Sequence, residues 1–352
     1  MPIPDGVRSE TATTDRLETH WLETGPADGT PVVLVHGNLS SARFYDRILA
    51  GAPDGYRVVA PDMRGFGDSA KVAIDATRGL RDWSDDLAAL VAHLGITDPV
   101  HLVGWSTGGA AIAHYAVDRP GEVASLTFID PVSPYGFGAT RDAEGTPTNP
   151  DFAGSGGGVA NPDFVQRLAD GDASADADTS PRNIMRAFYW SPEFSIDPAW
   201  EDDLTAEILK ALIGDEGYPG DSTPSEHWPM VAPGTTGILN ALSGKYCRWD
   251  DLVDADPKPP VLWTHGEGDQ IVANGSVFDL AALGELGLVP GWPGPEACPP
   301  QPMVDQIRSV LDRYAAAGGS VRSEVIAGST HGPHIDNDAR WSELFWGFVG
   351  GV

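Results

Sequence analysis

The chain has 352 residues, of which 41% are hydrophobic and 9% aromatic, enough for a sizeable core and too apolar for wholesale disorder. Its 51 acidic and 22 basic residues leave a formal charge of −29, a field that repels phosphate backbones and anionic lipid. Neither nucleic acid nor a membrane surface is therefore an expected partner. No apolar run approaches a membrane span, and the first ten residues lack the basic and apolar regions of a secretory signal. Cys247 and Cys298 are too few for a disulfide scaffold. The expectation is a cytoplasmic protein, monomer or homodimer.

In chain order, short β-branched runs predict strands over residues 31–35, 56–60, 100–104, 124–129, 261–265 and 321–327, with His20 in a further N-terminal strand region. Amphipathic stretches predict helices over 81–94, 107–118, 271–283, 303–316 and 339–349; Leu87, Leu90, Val91 and Leu94 form one apolar stripe in the first of these. Strand, helix, strand in succession implies an α/β fold with parallel pairing and helices on both sheet faces. The rhythm breaks over 131–256, a segment rich in Gly, Pro, Asp and Trp. Residues 154–158 read there as a flexible stretch without strand signal, and 161–212 as short helices. Because the rhythm resumes afterwards, 1–130 and 257–352 are expected to form one core domain and 131–256 an insertion.

Carboxylate clusters such as Asp82, Asp85 and Asp86, or Glu201, Asp202 and Asp203, read as solvated helical faces. With only four lysines, a surface this acidic also suggests adaptation to high salt, where screening removes self-repulsion.

The chemistry centres on Gly104-Trp105-Ser106-Thr107-Gly108, which follows a predicted strand and precedes a predicted helix. A serine on so sharp a turn is exposed at the carboxyl edge of the sheet, and the small residues two positions either side let the chain turn there. A hydroxyl needs a base to take its proton. Of nine histidines, His331 lies in a small-residue loop after the last predicted strand, at the same sheet edge as Ser106. His334 is its rival, and His36 reads as a brace. The base in turn needs an acid to hold its tautomer. Asp269 follows the 261–265 strand and gives the order Ser, Asp, His, while Asp130 after the preceding strand is the alternative acid. Oxyanion donors are expected from the N–H of Thr107 and from the loop at Asn38 and Leu39.

With His36-Gly37-Asn38, Asp62-Met63-Arg64-Gly65-Phe66-Gly67-Asp68-Ser69, the Ser106 turn, His265 through Asp269 and the His331 loop in this order, the chain resembles the α/β-hydrolase fold family. That resemblance implies a mostly parallel eight-stranded sheet flanked by helices, a helical cap formed by 131–256, and a serine hydrolase mechanism without metal or cofactor. Haloalkane dehalogenases and epoxide hydrolases carry aspartate where Ser106 stands, so their alkyl-ester intermediate is not expected.

Aromatic residues of the insertion suggest a pocket for a small-molecule ester of low polarity, with Trp105, Tyr135, Phe137, Phe188, Trp190 and Trp228 as its candidates. The expected activity is carboxylic-ester hydrolysis through an acyl-enzyme. Lactonase, amidase, aminopeptidase, C–C hydrolase or perhydrolase chemistry, or a ligand receptor that keeps the triad, would use the same residues.

Overall fold

The computed structural model describes residues 2–352. Its centre is an eight-stranded sheet of β1 (Arg8–Thr13), β2 (Glu18–Thr24), β3 (Thr30–Val35), β4 (Tyr56–Pro61), β5 (Val100–Trp105), β6 (Val123–Ile129), β7 (Val261–Gly266) and β8 (Val321–Ile326). They lie in the order β1-β2-β4-β3-β5-β6-β7-β8. β1 pairs antiparallel with β2 and β2 with β4; all other pairs are parallel. The middle strands are apolar nearly throughout, as strands covered on both faces must be: every residue of β5 is buried.

The cover is supplied by α1 (Arg81–His93), α2 (Thr107–Asp118), α3 (Met303–Ala316) and α4 (Asp338–Val349), each close to its predicted span. In α1 the stripe Leu87, Leu90 and Val91 is buried as its spacing requires, although Leu94 is only partly so. The predicted helix over 271–283 does not form. The Asp269 side chain accepts from Ile271 N–H (2.8 Å), and the turn runs through Gly275 at φ +93°. Helix begins only at Leu280–Glu285, where Asp279 accepts from Ala281 N–H. Side-chain-to-backbone bonds of this kind compete with helix, and the apolar periodicity did not register them.

β6 and β7 are neighbours in the sheet, and the 131–256 segment leaves and returns between them. Among its helices, Pro162–Ala169, Pro181–Phe188 and Pro198–Ile208 each have proline at the start. The glycine-rich stretch inside it is not the flexible tether its composition suggests. A Cβ on Gly156 would lie 2.3 Å from Asn240 Oδ1 and one on Gly157 2.5 Å from the Gly220 carbonyl, so the glycines permit close packing. Asn240 Oδ1 accepts from Gly157 and Gly234 N–H and its Nδ2 donates to Asp221, stitching this stretch to two short antiparallel strands, Ser222–Pro224 and Val231–Pro233.

The acidic clusters depart from expectation in part: Asp202 is exposed, but other members are not. Asp82 and Asp86 are buried, with Arg64 donating to both and Arg16 bridging the same pair. Glu201 is buried against Arg186. The carboxylates of these pairs are desolvated, and losing their arginines would strand buried negative charges. Cys247 and Cys298 are buried and unpaired. Among the described residues no helix is long and apolar enough to cross a membrane.

Candidate active site

The turn between β5 and α2 places Ser106 at φ +54° and ψ −115°, a conformation L-residues avoid unless their surroundings enforce it. Here the Ser106 carbonyl accepts from Gly109 and Val132 N–H, both at 3.0 Å, and Ser106 N–H donates to Ile129 O at 2.9 Å. The flanking glycines are a steric requirement: a Cβ on Gly104 would lie 2.4 Å from the Gly108 carbonyl oxygen, and one on Gly108 2.2 Å from that of Val35. Gly108→Ala is accordingly expected to destabilise the protein by at least about 2 kcal/mol. Urea unfolding monitored by circular dichroism checks this, and a midpoint equal to that of the parent would contradict it.

His331 sits in the loop after β8, buried, with Nδ1 2.9 Å from Asp269 Oδ2. Asp269 Oδ1 accepts from Ile271 and Val272 N–H, so the loop that replaced the predicted helix is what fixes this carboxylate. Burial disfavours the imidazolium of His331, but the charge and hydrogen bond of Asp269 outweigh it and raise the pKa above the ordinary 6.5. Burial likewise disfavours the Asp269 carboxylate, and His331 reverses that, holding its pKa below the usual range.

Asp130, the alternative acid, is fully buried and engaged elsewhere: its Oδ1 accepts from Gly266 N–H (2.9 Å) and lies 2.8 Å from His265 Nδ1. Burial raises its pKa. Asp269, not Asp130, occupies the Nδ1 side of His331. His334 is buried among the rings of Tyr45, Trp105 and Trp341, and burial lowers its pKa to about 3. His36 braces two loops as expected: Nε2 accepts from Met63 N–H (2.9 Å), Nδ1 donates to Gly37 O (2.7 Å), and burial lowers its pKa to about 4.

Ser106, His331, Thr107, Asn38 and Leu39 all line one cavity of about 360 Å3. Leu39 has φ +47°, and the Tyr189 hydroxyl donates to the carbonyls of Asn38 (3.2 Å) and Leu39 (3.3 Å), fixing the loop after β3. Trp105 Nε1–H donates to His331 O at 2.7 Å, tying the serine turn to the histidine loop. Asp336 clasps that same loop to the 131–256 segment, accepting from Thr330 N–H (3.0 Å), Ser329 Oγ–H and Ser191 N–H (2.8 Å).

Of the aromatic candidates, Trp105, Phe137 and Phe188 line the cavity. Tyr135, Trp190 and Trp228 do not. The Tyr135 hydroxyl accepts from Arg313 (2.9 Å) under the Arg248 guanidinium, Trp190 is buried beside Phe194, and Trp228 Nε1–H donates to Pro290 O (3.1 Å). Amphipathic tryptophans and tyrosines follow their polar handles, which composition does not reveal. Ile184 and Phe188 both line the cavity, as does Tyr189; the four-residue spacing of the first two was a usable signal. Phe278, from the loop before Leu280–Glu285, meets Phe188 edge-on at 4.8 Å.

Among the described residues, two groupings bring cation-ligand atoms within 4.8 Å of one another, Asp130-His265-Asp269 and His20-Asp62-Asp68, both from residues spread along the chain. In the first, Asp269 is committed to His331 and two backbone N–H groups; in the second, the Lys210 ammonium already sits 2.7 Å from Asp68.

Residues 30–291 match the alpha/beta hydrolase fold family. The chain belongs to that family. Lipase LipV of Mycobacterium tuberculosis is 31% identical over 249 residues, 70% of this chain and 75% of that protein. A non-heme haloperoxidase of Rhodococcus erythropolis is 40% identical over 135 residues, 38% of this chain, and the match spans only about half (47%) of that relative's length. Among solved structures, esterase RhEst1 from Rhodococcus sp. ECU1013 superposes with a TM-score of 0.57 at 21% identity, covering 98% of each chain. The strand order and the β5–α2 turn are thus those of an alpha/beta hydrolase.

Proposed function

We propose that this alpha/beta hydrolase is a serine esterase acting on carboxylic esters of low polarity. The observation that carries the reading is the His331–Asp269 hydrogen bond at the wall of an apolar cavity that also holds the strained Ser106. Ser106 Oγ attacks the ester carbonyl while His331 Nε2 takes its proton; Asp269 holds Nδ1–H and stabilises the imidazolium. The N–H of Thr107 and those of Asn38 and Leu39 receive the oxyanion. His331 returns the proton to the leaving alcohol, and water, activated by the same imidazole, releases the acid.

The residue lining supports this substrate class. Phe137, Phe164, Ile184, Phe188, Leu239 and Phe278 contribute apolar surface, and among the described residues none lining the cavity is ionic apart from His331. A charged acyl group would lose hydration without gaining a partner. On p-nitrophenyl esters, kcat/KM is expected to be at least about 10²-fold higher for butyrate or hexanoate than for the succinate half-ester. Equal rates would contradict this substrate class.

The raised pKa of His331 sets the pH dependence. Only neutral imidazole accepts the serine proton, so activity is lost as pH falls through the His331 pKa, which lies above 6.5. The acid limb of kcat/KM is therefore expected above pH 6.5; an inflection below it would contradict the pairing with Asp269.

A further inference from the structure

A second chain of hydroxyl, imidazole and carboxylate lies at the far edge of the sheet. Thr11 of β1 stands opposite His20 of β2, so Ser9, two residues along, projects from the same face within diagonal reach of the imidazole. Ser9 Oγ is 2.8 Å from His20 Nε2, and His20 Nδ1 is 2.7 Å from Asp62 Oδ2. The ring nitrogens are used as at His331, with Nδ1 toward the acid and Nε2 away from it. Ser9 is exposed, whereas His20 and Asp62 are buried.

The acid is as firmly held as Asp269. Asp62 Oδ1 accepts from Ala42 N–H (2.8 Å), and Oδ2 accepts from Asp68 N–H (2.7 Å) as well as from His20. A Cβ on Gly67 would lie 2.1 Å from the Asp62 carboxyl carbon, so the loop wraps the carboxylate closely. An ionised Asp62 accepting from Nδ1–H leaves Nε2 as the acceptor that faces the Ser9 hydroxyl. Burial opposes the imidazolium of His20, yet Asp62 raises its pKa, which favours proton uptake from the serine.

We propose that Ser9 is a second reactive serine, a surface site that takes an acyl group from activated esters with His20 as general base and Asp62 as the positioning acid. Ser9 Oγ bonds to the acyl carbon as its proton passes to His20 Nε2. The C–O bond to the leaving group then breaks, and the departing phenolate carries away the electron pair; His20 gives its proton to solvent. Ser9 lies mid-strand opposite Leu22, not at the head of a helix, so the oxyanion meets water. Donors with good leaving groups are therefore required, and the acyl-serine persists in place of turning over. The site is one of modification and stands apart from the cavity that holds Ser106.

The test uses the full chain carrying Ser106→Ala, so that its outcome is independent of the esterase reading. Incubated with p-nitrophenyl acetate and mapped by peptide mass spectrometry, this protein is expected to take up about one acetyl group, at Ser9, with the neighbouring exposed Thr11 about 10²-fold slower. Adding His20→Gln should slow Ser9 acetylation by about 10²-fold, and adding Ser9→Ala should abolish the fast label, leaving only slow background acetylation such as that of Thr11. Label distributed equally over Ser9, Thr11 and other hydroxyls would overturn the proposal. So would an unchanged Ser9 rate in a folded His20→Gln protein. Should His20→Gln fail to fold, the ratio of Ser9 to Thr11 labelling in the parent decides alone.

Discussion

Ser106→Ala is expected to lower kcat/KM for p-nitrophenyl butyrate by between about 10⁴- and 10⁶-fold, or about 5–8 kcal/mol of transition-state stabilisation. Alanine keeps the Cβ, so the turn at φ +54° carries the same strain and the bonds from Gly109 and Val132 to the residue 106 carbonyl remain. The melting temperature should therefore change little. What disappears is the only atom at this position able to form the acyl-enzyme. A steady-state assay with a melting curve checks both halves. Turnover within tenfold of the parent would mean that another nucleophile does the chemistry.

Asp269→Asn should cost about 10³–10⁴-fold in kcat, whereas Asp130→Asn should cost less than about tenfold. The amide at 269 keeps the shape, and its oxygen can still accept from Ile271 N–H. It cannot stabilise an imidazolium, and an NH₂ turned toward His331 would force the wrong tautomer. Asp130 meets His265 and Gly266 N–H, contacts that an asparagine oxygen can retain. The pH profile sharpens the comparison. Without the charge and hydrogen bond of Asp269, burial of His331 is opposed only by the more distant charge of Asp130, so its pKa should fall and the acid limb should move to lower pH. If Asp130→Asn were the more damaging change, the acid would belong to the β6 end.

The frame and the candidate triad were legible because they rest on strong local signals at topologically fixed places. Ser106 stands between a wholly buried strand and an alanine-rich helix, and Asp269 and His331 follow β7 and β8, which must end at the same sheet edge. β1 was less legible because an edge strand reading Arg8–Thr13 is mostly exposed and shows no apolar alternation. The 271–283 region misled because its apolar spacing suits a helix, while Asp269, Asn274 and Ser276 use their side chains to hold a loop. Pocket walls were hardest to assign. Nothing in Trp190, Trp228 or Tyr135 as residues says which way they face; the polar atoms of Trp228 and Tyr135 found partners outside the cavity, from Pro290 and Arg313.

The clasp at Asp336 bears on how such a scaffold can be recombined. One carboxylate holds the 329–331 loop and also accepts from Ser191, and a Cβ on Gly332 would lie 2.6 Å from the Tyr189 carbonyl oxygen. A 131–256 segment grafted from a relative would arrive with a foreign backbone at this seam, leaving the Asp336 carboxylate without its Ser191 donor. Chimeras that seek a new substrate range must therefore carry residues 329–336 together with the graft, because the wall of the pocket and the footing of the imidazole are cut from the same piece.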